Sequence, residues 1–360
     1  MELTVALGDH SYPIVIVPEL PGPALAAMAQ AVLPEKASRL LIVSDTNVAP
    51  LYLEHVARGL SGAAYGVVSH VLPAGEEHKD LAAVASVVDA ALAHRLTRHD
   101  AIVALGGGVV GDIAGFAAAI TMRGLAFLQV PTTLLAQVDS AVGGKTGVNH
   151  KRGKNLIGAF WQPRAVVSSQ ATLATLPDRE VRGGLAEAVK HGFIADPELL
   201  GWARENHLKL AALDEQALAH LVASCCRIKA AVVAEDERED LDNGRRVILN
   251  FGHTFGHAFE NVLGYGAITH GEAVALGMVY AARLSDRIFG GRLEPEVVAL
   301  LGLPNDPFGP QQPSLGTLMD AARGDKKADA VSGVRFVLLE ALGKPVVRSL
   351  SWGDIAERLR

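Results

Sequence analysis

The stretch AIVALGGGVVGDIAGFAAAI, Ala101 to Ile120, passes from an apolar run through three consecutive glycines into a helical pattern. Ala101–Leu105 reads as a buried strand, bounded by glycine. Gly106, Gly108 and Gly111 then spell G-x-G-x-x-G in the strand–turn–helix setting that gives this motif its meaning. Glycines let the backbone approach a pyrophosphate, and the helix start offers N–H donors and the positive end of its dipole. A tight turn with no ligand is the plainer reading. The ribose-binding acid expected about 20 residues further on is missing, because that region is PTTLL, Pro131 to Leu135. Acids stand instead at the ends of earlier strands, Asp45 after RLLIVS and Glu76 in PAGEEHK. The turn therefore belongs to a relative of the dinucleotide folds with its glycines moved to a later strand.

Outward from that turn, YPIVIV, RLLIVSD, YGVVSHVLP, LAFLQVPTT and RAVVSSQ read as further strands, and LAAVASVVDAALAH (81–94) as a helix between two of them. Buried strands alternating with helices imply a mostly parallel sheet covered on both faces, with ligands bound outside the carboxyl ends of its strands. After Leu176-Pro177 the texture changes. REVRGGLAEAVKHGFIA, EQALAHLVASCCRIKAAVVAEDE, HTFGHAFENVL and GEAVALGMVYAARLSDRIF all carry helical periodicity. The late run VRFVLLEALGKPVVR is expected to form a hairpin, and GLPNDPFGPQQPSLG (302–316) a loop. The fold class expected is α/β plus α: a Rossmann-like, mostly parallel sheet domain over 1–176, then a mainly helical domain over 177–360.

With 360 residues the chain suffices for two domains. A hydrophobic share of 49% against 20% charged excludes a disordered chain, and a net charge of −6 argues against nucleic-acid binding. The two cysteines, Cys225 and Cys226, are sequence neighbours and are expected as buried thiols. No basic leader and no run of about 18 apolar residues is seen, so a cytoplasmic protein is expected.

Two further stretches carry chemistry. DSAVGGKTGVNHKRGKNLIGAF (139–160) concentrates Lys145, Lys151, Arg152 and Lys154 in an acidic chain, which reads as a basic loop suited to an anionic substrate. Its GGKTG imitates half of a P-loop, but Asp139 stands where the first glycine belongs. In LNFGHTFGHAFE (249–260), His253 and His257 lie four apart, on one helix face, without the glutamate of H-E-x-x-H. Three N/O donors with an open fourth position make a catalytic zinc site. The candidates are Glu187, His191, His253, His257, Glu260, His270 and Glu272. Spacing alone favours His253 with His257 plus a carboxylate from elsewhere, and a lone histidine is more often a core or surface residue.

PAGEEHK, GGGVVGD, QVPTTLLAQVDSAVGGKTGVNHKRGKNLIGAFWQP, GLAEAVKHG, LNFGHTFGHAFE, HGEAVALGM and GDKK, in this order from about residue 70 to 327, together resemble the 3-dehydroquinate synthase family. That resemblance implies an NAD-binding α/β domain, a helical domain and a homodimer. It implies that Glu187, His253 and His270 hold zinc or cobalt, with His257 facing the substrate. It places NAD against Asp45, Glu76, Lys79, Gly107, Gly108, Val109, Gly111, Asp112, Thr132, Thr133 and Thr172, with Lys145, Lys154 and Thr175 close by. Substrate contacts implied are Asp139, Lys145, Asn155, Lys190, Lys229, Arg246, Asn250, His257 and one of Lys326 and Lys327. Arg123 is implied to reach the neighbouring subunit's substrate phosphate. Between AEDERED and RRVILN the chain is expected to run slightly longer than the family's common form, so 236–245 departs from the pattern. The implied reaction converts 3-deoxy-arabino-heptulosonate 7-phosphate to 3-dehydroquinate and phosphate, by transient oxidation, β-elimination, reduction and intramolecular aldol closure. The alternatives are a related sugar phosphate cyclase, a metal-dependent dehydrogenase of the glycerol-dehydrogenase type, or a non-catalytic binder.

Overall fold

The computed structural model describes every residue except 241–243, 265, 303–312, 324–327 and 330–332. The chain forms two compact units, one from Met1–Leu176 with Leu213–Arg238, the other from Pro177–Ala212 with Glu239–Arg360.

The first unit is built on strands β1 (Glu2–Val5), β2 (Tyr12–Val17), β3 (Arg39–Asp45), β4 (Gly66–Leu72), β5 (Ala101–Gly106), β6 (Ala126–Pro131) and, after a hairpin, β9 (Ala165–Ser169). Their order is β1-β2-β9-β6-β5-β3-β4. All neighbours run parallel except β1 against β2. Alternation assigns the faces. Leu40, Ile42, Val103 and Leu128 pack under α1 (Gly22–Val32) and α2 (Glu54–Gly62), with Leu25, Val56 and Leu60. Leu41, Val43, Ile102 and Phe127 pack under α3 (Leu81–Ala93) and α4 (Gly108–Ile120), with Val84, Val87 and Ile113. Covering both faces explains why these strands are apolar throughout rather than alternating. Strand β3 pairs with β4 on one side and β5 on the other, so the connectivity reverses direction there. That reversal opens the crevice where folds of this class take their ligands.

The buried Asp100 ties the turn before β5 to the start of β3. Its carboxylate accepts the N–H groups of Ser38 (2.9 Å), Arg39 (2.8 Å) and Thr97 (2.6 Å) and the Thr97 hydroxyl (2.8 Å).

Two features depart from the sequence reading. The basic stretch is not a loop but a hairpin, β7 (Lys145–His150) against β8 (Gly153–Phe160). Gly147 and Gly158 make it possible, because a Cβ on Gly147 would lie 2.5 Å from the Ile157 carbonyl oxygen and one on Gly158 would strike the Thr146 carbonyl. Val148 anchors the hairpin in the α3–α4 core. The second departure concerns helices. The chain leaves the first unit at Leu176 and runs through α5 (Asp178–Ala195), α6 (Pro197–Glu205) and α7 (His207–Ala211). It rejoins the first unit as α8 (Glu215–Glu235), which packs on β1 and β2. Periodicity marks α8 as a helix but does not say whose core it completes. It is long and apolar enough to cross a membrane, yet its apolar side chains, Leu218, Leu221, Val222 and Val233 among them, are buried.

The second unit is mainly helical, with α9 (His253–Leu263), α10 (His270–Phe289), α11 (Leu293–Leu301), α12 (Leu315–Arg323) and α13 (Trp352–Leu359). A small antiparallel sheet, β10 (Ala328–Asp329), β11 (Gly333–Ala341) and β12 (Lys344–Leu350), contains the expected late hairpin. Phe255, Phe259, Tyr280, Phe336 and Ile355 form its core. Glycine sets two helix crossings. A Cβ on Gly271 would collide with the backbone of Gly183, and one on Gly277 with that of Gly252 and Gly256. Helix α10 therefore meets both α5 and α9 backbone to backbone.

Candidate active site

In the first unit the candidate cofactor residues gather at the carboxyl ends of the strands. Asp45 ends β3, Glu76 and Lys79 follow β4, Gly106 ends β5 with Gly107 and Gly108 after it, and Thr132 and Thr133 follow β6. Helix α4 opens with Gly107 as its cap and no side chain on its first N–H groups, leaving the donor end that an anion requires. The glycines also serve packing, since a Cβ on Gly111 would lie 2.9 Å from Gln129 Oε1 and one on Gly107 3.0 Å from Thr133 Cγ2. Val109 is half-buried in the first turn. Asp45 accepts the N–H groups of Asn47 and Val48, closing a turn on itself. Thr172 donates to the Ser169 carbonyl and Thr175 pairs with Tyr52, so both are engaged locally. Thr132 Oγ1 is buried without a hydrogen-bond partner among the described residues.

Lys79 is buried and donates to Asp112 Oδ2 at 2.6 Å and to Asn155 Oδ1 at 2.7 Å. Burial pushes the Asp112 carboxyl up, opposed by the charge of Lys79 beside it. Lys154 Nζ lies 3.7 Å from Glu76. Asp139 sits on a π-helical turn, Ala136–Ser140, a geometry often found at functional positions. Its carboxylate meets Lys229 Nζ at 2.8 Å, and the same ammonium donates to the Asp139 carbonyl. Lys145 is exposed at the start of β7. Arg123 is exposed on a turn where Met122 (φ 52°) and Arg123 (φ 68°) are both left-handed, a conformation costly for side chains of this size.

In the second unit, donor atoms of Glu187 (α5), His253 (α9) and His270 (α10) lie within 4.8 Å of one another. The glycine crossings explain it, because Gly183 lies one turn from Glu187, Gly271 adjoins His270, and Gly252 adjoins His253. Glu187 Oε1 is buried with no hydrogen-bond partner among the described residues. It lies 3.9 Å from His253 Nε2 and 3.6 Å from His270 Nε2. Each imidazole turns its other nitrogen to an acceptor, His253 Nδ1 to the Phe251 carbonyl (3.3 Å) and His270 Nδ1 to Glu260 Oε1 (3.2 Å). That arrangement directs the two Nε2 atoms toward Glu187 and is how metal-binding histidines are commonly oriented. The donor set fits a divalent cation with one open position.

His257 shares the helix face with His253, the rings 5.6 Å apart. It clusters with Glu260 and His270 rather than with Glu187. His191 bonds its own helix at the Glu187 carbonyl, and Glu272 closes a capping box with Thr269 and pairs with Arg179 at 2.7 Å. Lys190 is buried with its Nζ 2.5 Å from Glu187 Oε2. Arg246 is buried, and Asn250 donates to Glu239 Oε1 at 3.0 Å and to the Val247 carbonyl. Lys326 and Lys327 lie outside the described residues. Gln137, which the sequence reading did not single out, is buried and donates to the carbonyls of Pro131 and Ser169, bracing the turn that carries Asp139. A polar residue inside the apolar run LLAQV was its one signal.

The fold places this chain among the sugar phosphate cyclases. It is similar to a 2-deoxy-scyllo-inosose synthase solved with carbaglucose-6-phosphate, NAD+ and Co2+ (TM-score 0.88, 27% identity, covering 100% of this chain and 99% of that one). It is also similar to the 2-epi-5-epi-valiolone synthase of Streptomyces hygroscopicus solved with NAD+ and Zn2+ (TM-score 0.82, 28% identity, 98% and 97% covered). Within that class, residues 69–183 and 184–328 match the N-terminal and C-terminal families of 3-dehydroquinate synthase. A 3-dehydroquinate synthase of Methylococcus capsulatus is 50% identical over 95% of this chain and 93% of its own length. The chain belongs to the 3-dehydroquinate synthase family.

Proposed function

We propose that the protein converts 3-deoxy-arabino-heptulosonate 7-phosphate into 3-dehydroquinate and phosphate. When bound, NAD+ supplies reversible hydride acceptance at the substrate's C5 carbon, and a divalent cation, zinc or cobalt, supplies Lewis-acid polarisation of the hydroxyl there. The observation carrying this reading is the Glu187–His253–His270 cluster, with both imidazoles already turned by Phe251 and Glu260.

Glu187, His253 and His270 would hold the cation, and Lys190 would keep Glu187 oriented through their buried contact. His257, beside His253, would handle a proton of the substrate. Asp45, Glu76, Lys79, Asp112, Thr132 and Thr133 would line the NAD site at the strand ends, with the α4 N–H groups of Gly107, Gly108, Val109 and Gly111 facing the pyrophosphate. Lys154, Thr172 and Thr175 would stand at its edge. Lys229 would steer Asp139 while adding positive charge, and Lys145, Arg246, Asn155 and Asn250 would bind the anionic and hydroxyl groups, a positioning role. The exposed, left-handed turn at Arg123 suits a side chain presented outward to a second subunit, so the active form would be a homodimer. The protein would act in the cytoplasm, without nucleic-acid or membrane partners.

The test is to incubate protein, heptulosonate phosphate, NAD+ and Zn2+ while following phosphate and NADH together. Sustained phosphate release without net NADH, abolished by a chelator, is expected. NADH accumulating without phosphate would instead mark a polyol dehydrogenase.

A further inference from the structure

Asn149 lies outside every residue assigned a role above, yet it bonds to two positions of the proposed NAD site, Lys79 and Glu76, and to the proposed substrate contact Asn155. Its backbone N–H donates to the Lys79 carbonyl at 2.8 Å. Its side-chain Nδ2 donates to Glu76 Oε1 at 2.8 Å, and its Oδ1 accepts the Asn155 N–H at 2.9 Å. A carboxylate only accepts and a backbone N–H only donates, so one orientation of the amide satisfies both. Asn155 is left-handed (φ 50°) and passes the link on, its own Oδ1 receiving Lys79.

We infer that Asn149 is a positioning residue for the dinucleotide site, acting through Glu76 and Lys79. It joins the β7–β8 hairpin to the segment after β4, which bears both residues. Lys79 has a half-buried counter-ion in Asp112, and its direction is fixed besides by Asn155, which Asn149 holds by its N–H. Glu76 is half-buried, and the Asn149 amide sets which oxygen faces away from the hairpin. Only an amide can serve here. Aspartate keeps the acceptor for Asn155 but sets a second carboxylate against Glu76. This inference rests on the NAD-binding reading above.

The test uses the full chain and NAD+ itself, titrated by quenching of intrinsic fluorescence. For Asn149→Asp, NAD+ affinity falls by about tenfold or more, because one charge-assisted hydrogen bond becomes a repulsion. Zinc content and melting temperature, read in parallel, stay near wild type. In Asn149→Asp/Glu76→Gln the bond re-forms with its polarity reversed, and affinity returns to that of Glu76→Gln alone. If Asn149→Asp proves too unstable to purify, Asn149→Ser takes its place, with a loss of about threefold from the missing neutral reach. NAD+ affinity unchanged in the single variant overturns the inference, as does a double variant no better than Asn149→Asp. A wild-type protein that binds zinc but no NAD+ would refute the cofactor reading itself, and the inference with it.

Discussion

Gly271→Ala adds one methyl group where the backbones of α5 and α10 meet. The new Cβ would fall inside contact distance of the Cα, carbonyl carbon and oxygen of Gly183, none of which can rotate away. Carbon atoms prefer separations of about 3.5–4.0 Å, so the helices must part by on the order of 1 Å. Overpacking of this kind costs about 1–3 kcal/mol. In a chain of this size that lowers the melting temperature by about 1–4 °C. The larger effect falls on the cation site, because the displaced backbones carry His270 next door and Glu187 one turn away. Bonds from zinc to nitrogen or oxygen are about 2.0–2.2 Å and tolerate a few tenths of an ångström, so a shift of two donors weakens binding by about 10–100-fold. Competition with a chromogenic chelator measures the affinity, and calorimetry the melting. Gly201→Ala is the control, since nothing lies within 4 Å of a Cβ there and the substitution favours the helix. Wild-type zinc affinity in Gly271→Ala would show that the crossing does not set the donor geometry.

Glu187→Gln should abolish stoichiometric zinc and destabilise the metal-free protein by about 3–5 kcal/mol in urea, because it removes one member of a buried ion pair; unchanged urea midpoints would refute the pairing with Lys190. Asp100→Asn acts through acid. Burial alone would raise this carboxyl, but the N–H groups of Ser38, Thr97 and Arg39 and the Thr97 hydroxyl hold it below the ordinary range. Its contribution is therefore full above the unfolded value of about 3.9 and lost as pH falls through the folded one. Wild type should lose more melting temperature than Asp100→Asn as pH falls below about 4, and parallel curves would contradict this. Burial pushes the Cys226 thiol up to about 12, so it should resist alkylation at pH 8 until the protein is unfolded, as mass spectrometry of the labelled chain would show.

How much of this could be read from sequence varied with the range of the interaction. Strands such as Arg39–Asp45 and Ala101–Gly106 were legible because burial on both faces leaves a continuous apolar run between turn residues. The hairpin over 145–160 was read as charge, since its lysines are conspicuous and its pairing rests on two glycines whose partners lie across the strand. Helix α8 announced itself by periodicity, which reports that one face is buried and not which unit buries it. The histidines show the same limit. Spacing put His253 and His257 on one face, as they are, but a Glu187–His253–His270 triangle depends on helix crossings, and those depend on glycines that look unremarkable in a helical sequence. The family resemblance supplied that triangle where local pattern did not.

The discontinuous make-up of the first unit bears on how the protein is made. A ribosome reaching Leu176 has delivered the whole seven-stranded sheet but not the helix that covers β1 and β2. Roughly sixty residues more must be translated before α8 arrives, on the order of 3–12 s at about 5–20 residues per second. Through that interval the nascent sheet presents an uncovered apolar flank, and the Asp139 turn waits without Lys229. Chaperone dependence should therefore concentrate between these two points of synthesis, and a chain released at Leu176 should aggregate where one released after Arg238 stays in solution.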